Sequence, residues 1–245
     1  MSRRSRPRQS LPPLPESSYR PSVLDVARAL VGQLIVREYQ GERLVGRIVE
    51  TEAYAGLVDP ASHSYRGMTP RCRTMFGPAG RAYVYFSYGN HYCLNVIAGP
   101  RELAGAVLLR GVEGVEGIET MRRLRAARPG KVREKLLAAA NDEEIASGPG
   151  KLTVALAVDL GWDGHDLTLG EGLWLAHGRR APDVVWTPRV GLGKNPAASW
   201  LWRCADVHSR ATTRIPRGWP CEWNPRPASV EELLEGGSLA DHRKP

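Results

Sequence analysis

The sequence predicts a mixed α/β (α+β) protein, and two observations carry this. Val23, Val26, Ala27 and Leu30 share one face at helical spacing. Two pairs of runs, 33–38 with 43–54 and 81–87 with 92–97, are each joined by short turn-forming segments and read as hairpins. At 245 residues and 26.9 kDa the chain can bury a full core as one domain, or as two small ones.

Residues 1–18 open with Arg3, Arg4, Arg6 and Arg8 ahead of any acid, followed by Pro12, Pro13 and Pro15. They read as an irregular basic arm, either solvated or adding non-specific phosphate contacts. Ser22 can cap the first helix, with Asp25 three residues on, and Gly32 ends it. The Gln40-Gly41 region turns the first hairpin and Tyr88-Gly89-Asn90 the second. A short apolar strand follows at 106–112. Helices are expected at 117–127, with Ile118, Met121 and Leu124 inward, at 132–140 and at 152–158. Strands or edge segments are expected at 167–177, 184–192 and 200–207. Beyond Ala211 the chain is Pro-rich and reads as a mostly irregular extension.

The formal charge of +8 and pI of about 9.6 call for an anionic partner, with nucleic acid ahead of a membrane surface. No run of 18 apolar residues exists, so a membrane-spanning helix is excluded. The N-terminus lacks the apolar stretch of a secretory signal. The four cysteines, Cys72, Cys93, Cys204 and Cys221, form no C-x-x-C pair and no zinc-like spacing with histidine. They read as reduced thiols of an intracellular protein.

The window 46–99 concentrates the chemistry. It holds six of the eight tyrosines, both phenylalanines, Glu50, Glu52, His63, Arg66, Arg71 and Arg73. Strict alternation puts Ile48, Glu50, Glu52 and Tyr54 on one strand face. Two acids on a strand face are more often solvated than catalytic. The long Gly-, Pro-, His- and Arg-rich loop 55–81 that follows them favours a functional site. Flat rings, a placed carboxylate and basic groups suit the handling of a nucleobase on a polyanion. Tyr83 and Tyr85 share a face, and Tyr88 falls at the hairpin tip, where a ring gains little from core packing. The stretch 122–135 is the most basic internal one and reads equally as a solvated face or a phosphate-facing one. Ser147-Gly148-Pro149-Gly150-Lys151 can hold a phosphate but lacks Walker A spacing.

Several motifs in order resemble one family. They are VGRIVETEAY, HS at 63–64, TPR at 69–71, MF at 75–76, YVYFSYG at 83–89, Asn95, LLRGVE at 108–113, GIETMR at 117–122, SGPGKL at 147–152 and RVGLG at 189–193. Together they resemble the alkyladenine (3-methyladenine) DNA glycosylases of the methylpurine type, from about Ser22 to about Arg210. The resemblance implies one domain over 19–210, flanked by the arm 1–18 and the extension 211–245. Its fold would be a curved, mainly antiparallel sheet surrounded by helices. It implies a monomeric, metal- and cofactor-free enzyme that flips a damaged purine from double-stranded DNA and hydrolyses its N-glycosidic bond, without lyase activity. Glu52 would activate the water. Tyr54, His63, Tyr85 and Asn95 would line the base pocket. Tyr88 would enter the minor groove. Arg110 would serve the active-site water and the DNA backbone, and Lys151 a phosphate. The residues alone leave two other readings open: a non-catalytic DNA-bending or damage-sensing protein, and a metal-dependent nuclease built on Glu50, Glu52 and His63.

Overall fold

A computed structural model describes residues 10–87, 89–127, 141–213 and 215. Tyr88, the expected helix at 132–140 and nearly all of the C-terminal extension lie outside the described residues.

The chain forms a curled antiparallel sheet with helices packed on it, an α+β fold in a single domain. Helix α1 (Val23–Leu30) is capped by the Ser22 hydroxyl, which accepts from the Asp25 amide at 3.3 Å. Its buried face is the one that the spacing indicates, Val23, Val26, Ala27 and Leu30, joined by Leu24. Strands β1 (Leu34–Tyr39) and β2 (Glu42–Tyr54) form the first hairpin. Gln40 and Gly41 turn it, both at positive φ (49° and 79°), as a tight hairpin of matched twist demands. Strands β3 (Ala82–Ser87) and β4 (His91–Ile97) form the second. Strand β5 (Ala106–Glu116) runs longer than expected and joins the hairpins, pairing with β4 on one edge and β2 on the other.

Helix α2 (Ile118–Ala126) buries Met121, with Ile118 and Leu124 partly buried against the core. Strand β6 (Ala146–Ser147) pairs with β5, and helix α3 (Pro149–Ala155) starts three residues before the expected position, with Pro149 in its first turn. The later strands are shorter than the apolar runs suggest: β7 (Leu173–Ala176), β8 (Val184–Thr187) and β9 (Arg203–Asp206). Pro188 and the glycines at 191 and 193 end the strand character of 184–192 early. The main path of the sheet is β3-β4-β5-β2-β1-β7, with β9 on the last part of β2 and β8 on β9.

Two differences from the sequence reading matter. From Ser10 the N-terminal segment is docked, not irregular: the Leu14 amide bonds to the Leu175 carbonyl at 2.7 Å, and Trp174 Nε1 to the Leu11 carbonyl at 2.8 Å. It covers the β7 edge, and Leu14 is buried there. The second concerns β2, whose alternation does not run unbroken. Its register with β5 shifts between Ile48 and Glu50 and again between Glu50 and Thr51. Leu44 and Ile48 face the main core before the shifts, and Ala53 faces it after them. Ile48 therefore does not share the face of Glu50, Glu52 and Tyr54. Such bulges bend a strand and re-aim its side chains.

Gly56 and Gly41 give a matched test. Both have positive φ (62° and 79°), but a Cβ on Gly56 would lie 1.6 Å from the Leu103 carbonyl oxygen, whereas Gly41 has open space. Gly41→Ala should cost only the backbone term, roughly 1–2 kcal/mol. Gly56→Ala should cost clearly more in urea unfolding, and equal losses would refute the packing argument.

Candidate active site

The last half of β2, the β3–β4 hairpin, the start of β5 and the loops at 55–67 and 188–192 enclose a cavity of about 430 Å³. Glu52, Tyr54, His63, Tyr85, Asn95 and Arg110, all singled out from the sequence, line it. Lys151 is not among the lining residues; Pro149, two residues before it, is. Tyr88 follows Ser87, a lining residue, but lies outside the described residues.

Glu52 is fully buried and is one of the residues lining the cavity. Its Oε1 accepts from the Val190 amide at 2.7 Å and stands 3.4 Å from Arg110 Nη1; its Oε2 accepts from the Tyr54 hydroxyl at 2.8 Å. Burial first, and the Glu52 charge next, push the Tyr54 phenol well above its ordinary value, so it stays a donor. Each carboxylate oxygen has two acceptor sites, so Oε2 keeps one to spare.

Glu50, two residues earlier, is equally buried but is not a lining residue. Its Oε1 accepts from Arg110 Nε at 3.0 Å, Arg203 Nη1 at 2.9 Å and the Thr213 hydroxyl at 2.5 Å; its Oε2 accepts from the Thr213 amide at 2.6 Å. Burial alone would raise this carboxyl. The Arg110 and Arg203 guanidiniums and the Thr213 bonds outweigh it and hold the group below its ordinary value. Arg110 thus bridges the two carboxylates. Burial would favour its neutral form, but Glu52 and Glu50 together raise its pKa above the usual value. Its side chain is 7% exposed and lines the cavity between the two carboxylates.

The walls are aromatic. Tyr83 and Tyr85 stand side by side, ring centroids 5.4 Å apart, as their shared strand face requires. His63 meets Tyr85 edge-on at 4.5 Å, and its Nδ1 is 2.8 Å from the Tyr83 hydroxyl. Partial burial and then the nearby Arg71 lower the His63 pKa to about 4, so the imidazole is neutral near pH 7 although it reaches the open mouth. Asn95 donates from Nδ2 to the Tyr83 carbonyl at 3.0 Å, which leaves its amide oxygen for the cavity. Arg71 stacks over Tyr85 at 5.3 Å and bonds the Phe86 carbonyl at 3.1 Å.

Four contributors were not legible as site residues: the Val190 amide, Arg203, Thr213 and the Asp59–Arg189 pair. RVGLG at 189–193 marked the right loop, yet no side-chain pattern announces a backbone donor. The basic stretch also reads differently in three dimensions. Arg122 pairs with Glu119 at 2.6 Å and with Asp142, and Arg123 with Glu42 at 3.1 Å. Among the described residues, no cluster of three His, Cys, Asp or Glu side chains is arranged to hold a metal ion. Glu50 is committed to arginines and Thr213, and His63 to Tyr83, so the nuclease trio of Glu50, Glu52 and His63 is not assembled. Cys72, Cys93 and Cys204 are buried free thiols. No helix among the described residues is long and apolar enough to cross a membrane.

Fold and site together define an α+β protein whose curled sheet carries a ring-walled cavity with a carboxylate in its wall. The family is then specific. The chain belongs to the methylpurine-DNA glycosylases, whose family profile matches residues 17–209. It is 46% identical over 181 residues to a protein of Carboxydothermus hydrogenoformans, covering 73% of this chain and 88% of that one. It is 42% identical over 197 residues to one of Streptomyces avermitilis, covering 77% and 87%. A protein of Herpetosiphon aurantiacus is 43% identical over 198 residues, with coverage of 78% and 85%. All three are provisionally named 3-methyladenine DNA glycosylases.

Glu50 generates a prediction for stability. Its folded-state pKa lies below the ordinary 4.5, so its contribution is present above that value and lost as pH falls through the folded value. Glu50→Gln takes one carboxylate away from two buried guanidiniums and should cost about 3–5 kcal/mol at pH 7. That gap from wild type should shrink as urea unfolding is repeated below about pH 4.5. A gap independent of pH would show that the carboxylate charge is not what the site uses.

Proposed function

We propose that this chain is a DNA-repair glycosylase that hydrolyses the N-glycosidic bond of alkylated or deaminated purines flipped out of duplex DNA, leaving an abasic site. The observation that carries this is Glu52: a buried carboxylate with a spare acceptor site, in the wall of a cavity large enough for a nucleobase. A base can enter such a cavity only outside the helical stack.

Bond cleavage builds positive charge on the sugar. Glu52 can stabilise that charge and take the proton of the attacking water through Oε2. Val190, Tyr54 and Arg110 hold the carboxylate in one orientation, so little reorganisation is needed as charge develops. Tyr54 and Tyr85 offer ring faces to the base, and a cationic alkylated purine gains about 0.5–2 kcal/mol from such a face. Neutral His63 acts as a hydrogen-bonding wall group and not as an acid near pH 7. A base that already carries positive charge leaves without one. No lysine lines the cavity among the described residues, which fits hydrolysis by water and not a Schiff-base route. Exposed Arg66, Arg71 and Arg73, with Lys151 near Pro149, supply cations for phosphates. A non-catalytic DNA-bending or damage-sensing protein would have no use for a buried carboxylate in this wall.

The test is base release from duplexes carrying single lesions. Glu52→Gln should abolish excision and leave duplex affinity within a few-fold of wild type, because the amide keeps shape but cannot take the proton. Near wild-type single-turnover excision by Glu52→Gln would exclude the assigned role.

Tyr88 is the proposed wedge, from its place in sequence between Ser87 and Gly89 at the end of a hairpin. A ring can fill the gap that an extruded base leaves, and serine cannot. Tyr88→Ser should therefore slow excision most for lesions in stable pairs and least for mismatched ones, which cost less to extrude. An unchanged paired-to-mismatched rate ratio would sink the assignment.

A further inference from the structure

We propose that Arg189, paired with Asp59, is a positioning residue that aims Glu52 and joins the two loop walls of the cavity. Arg189 has no exposed side-chain surface, and neither has Asp59. The two form a bidentate pair, with Nη2 to Oδ1 at 2.9 Å and Nη1 to Oδ2, and Nη1 also donates to the Ala53 carbonyl at 2.8 Å. The guanidinium lies 4.6 Å from the Tyr54 ring centroid and 5.1 Å from that of Trp202.

Each partner governs one wall. Asp59 accepts from the Ala55 and Ala61 amides at 3.3 and 3.0 Å, which shapes the turn that carries Ser62 and His63. Arg189 immediately precedes Val190, whose amide reaches Glu52 Oε1 at 2.7 Å. Arg189 also backs Tyr54, whose hydroxyl reaches Glu52 Oε2 at 2.8 Å. Two of the groups that orient Glu52 therefore rest on this one side chain, although it does not touch the cavity itself.

The pair leaves one buried donor unsatisfied: Arg189 Nε is without a hydrogen-bond partner among the described residues. A buried ion pair can often be replaced by apolar residues of similar volume at no net loss. An imperfectly satisfied buried pair at this position is better explained by the geometry that it imposes on Glu52.

The inference rests on the glycosylase reading for the reaction it serves, so the experiment includes a readout that needs no catalysis. The variants are the apolar pair Asp59→Leu/Arg189→Met and the single Arg189→Lys, which keeps the charge and loses the fork. Three quantities are measured: urea stability, hydrogen exchange of residues 188–193 by mass spectrometry, and single-turnover excision of 7-methylguanine from a duplex. The apolar pair takes their partners away from the Ala55 and Ala61 amides and the Ala53 carbonyl, so it should lose some stability yet fold. It should exchange the 188–193 amides at least about tenfold faster and excise about 100-fold more slowly. Arg189→Lys should show the same two changes in smaller measure, and it decides the matter if the apolar pair does not fold. Wild-type exchange and excision in a stably folded variant would overturn the proposal and assign the pair to stability alone. Accelerated exchange together with a wild-type protein that releases no base from any lesion would support the positioning role and refute the reaction.

Discussion

Two carboxylates two residues apart on one strand, both buried, set the constraint from which this architecture follows. Burying one charge costs several kcal/mol, and burying a second beside it adds repulsion. The chain meets this by bringing cations from distant strands to β2. Arg110 comes from β5 at the point where the β2–β5 register shifts, so one guanidinium reaches both Glu50 and Glu52. Arg203 comes from β9, which pairs with β2 only across Glu50 to Glu52. Gly111 lets the chains close in: a Cβ there would lie 3.3 Å from Glu50 Cβ and 3.0 Å from the Ala211 carbonyl oxygen. Thr213 then closes the far side of Glu50 from beyond the segment that the family profile matches.

Local features of the fold were legible in the sequence because they depend on near neighbours. Ser22 capping α1, positive φ at Gln40-Gly41, and two hairpins with nearly the expected limits are all short-range consequences of residue type. Tyr83 and Tyr85 on one face follow from a period of two in an unbroken strand. The same period misplaced Ile48, because a bulge is a property of two paired strands and leaves no mark on one of them. The shortness of β7, β8 and β9 was hidden for a related reason. Apolar residues continue past each ladder into exposed or half-buried positions, Leu169 and Val190 among them, so an apolar run does not mark where pairing ends.

The site was legible in its side chains and not in its backbone. Glu52, Tyr54, His63, Tyr85, Asn95 and Arg110 were named from motifs, and the fold brings all six to one cavity. The Val190 amide could not be named, since every residue but proline has one and only tertiary placement selects it. Charge patterns were less informative: the basic stretch 122–135 read equally as a solvated or a phosphate-facing face, and Arg122 and Arg123 on α2 are held by acids across the surface. Arg66 and Arg73, in the segment leading from His63 into β3, are exposed with no acidic partner among the described residues. A pattern of charge in sequence locates arginines; only the neighbouring acids decide which of them are available to a polyanion.

Glu50 and Glu52 finally show how one strand can give two like residues opposite tasks. Neither is exposed to bulk solvent, and both touch Arg110. They differ in what surrounds the rest of each carboxylate. Glu50 is bonded by Arg203 and Thr213 and is not among the residues lining the cavity. Glu52 takes a backbone amide and a phenol, neutral donors that orient it without adding a formal charge, and opens on the cavity. Two guanidiniums and Thr213 hold the Glu50 carboxyl below its ordinary pKa, whereas Glu52 is oriented by neutral donors beside the single shared cation. The shared Arg110 ties the two carboxylates together, with Nε on Glu50 and Nη1 near Glu52. Glu50 thus fixes Arg110 on its closed side while Glu52 faces the cavity, and the two-residue spacing on β2 is the shortest that keeps both on one face.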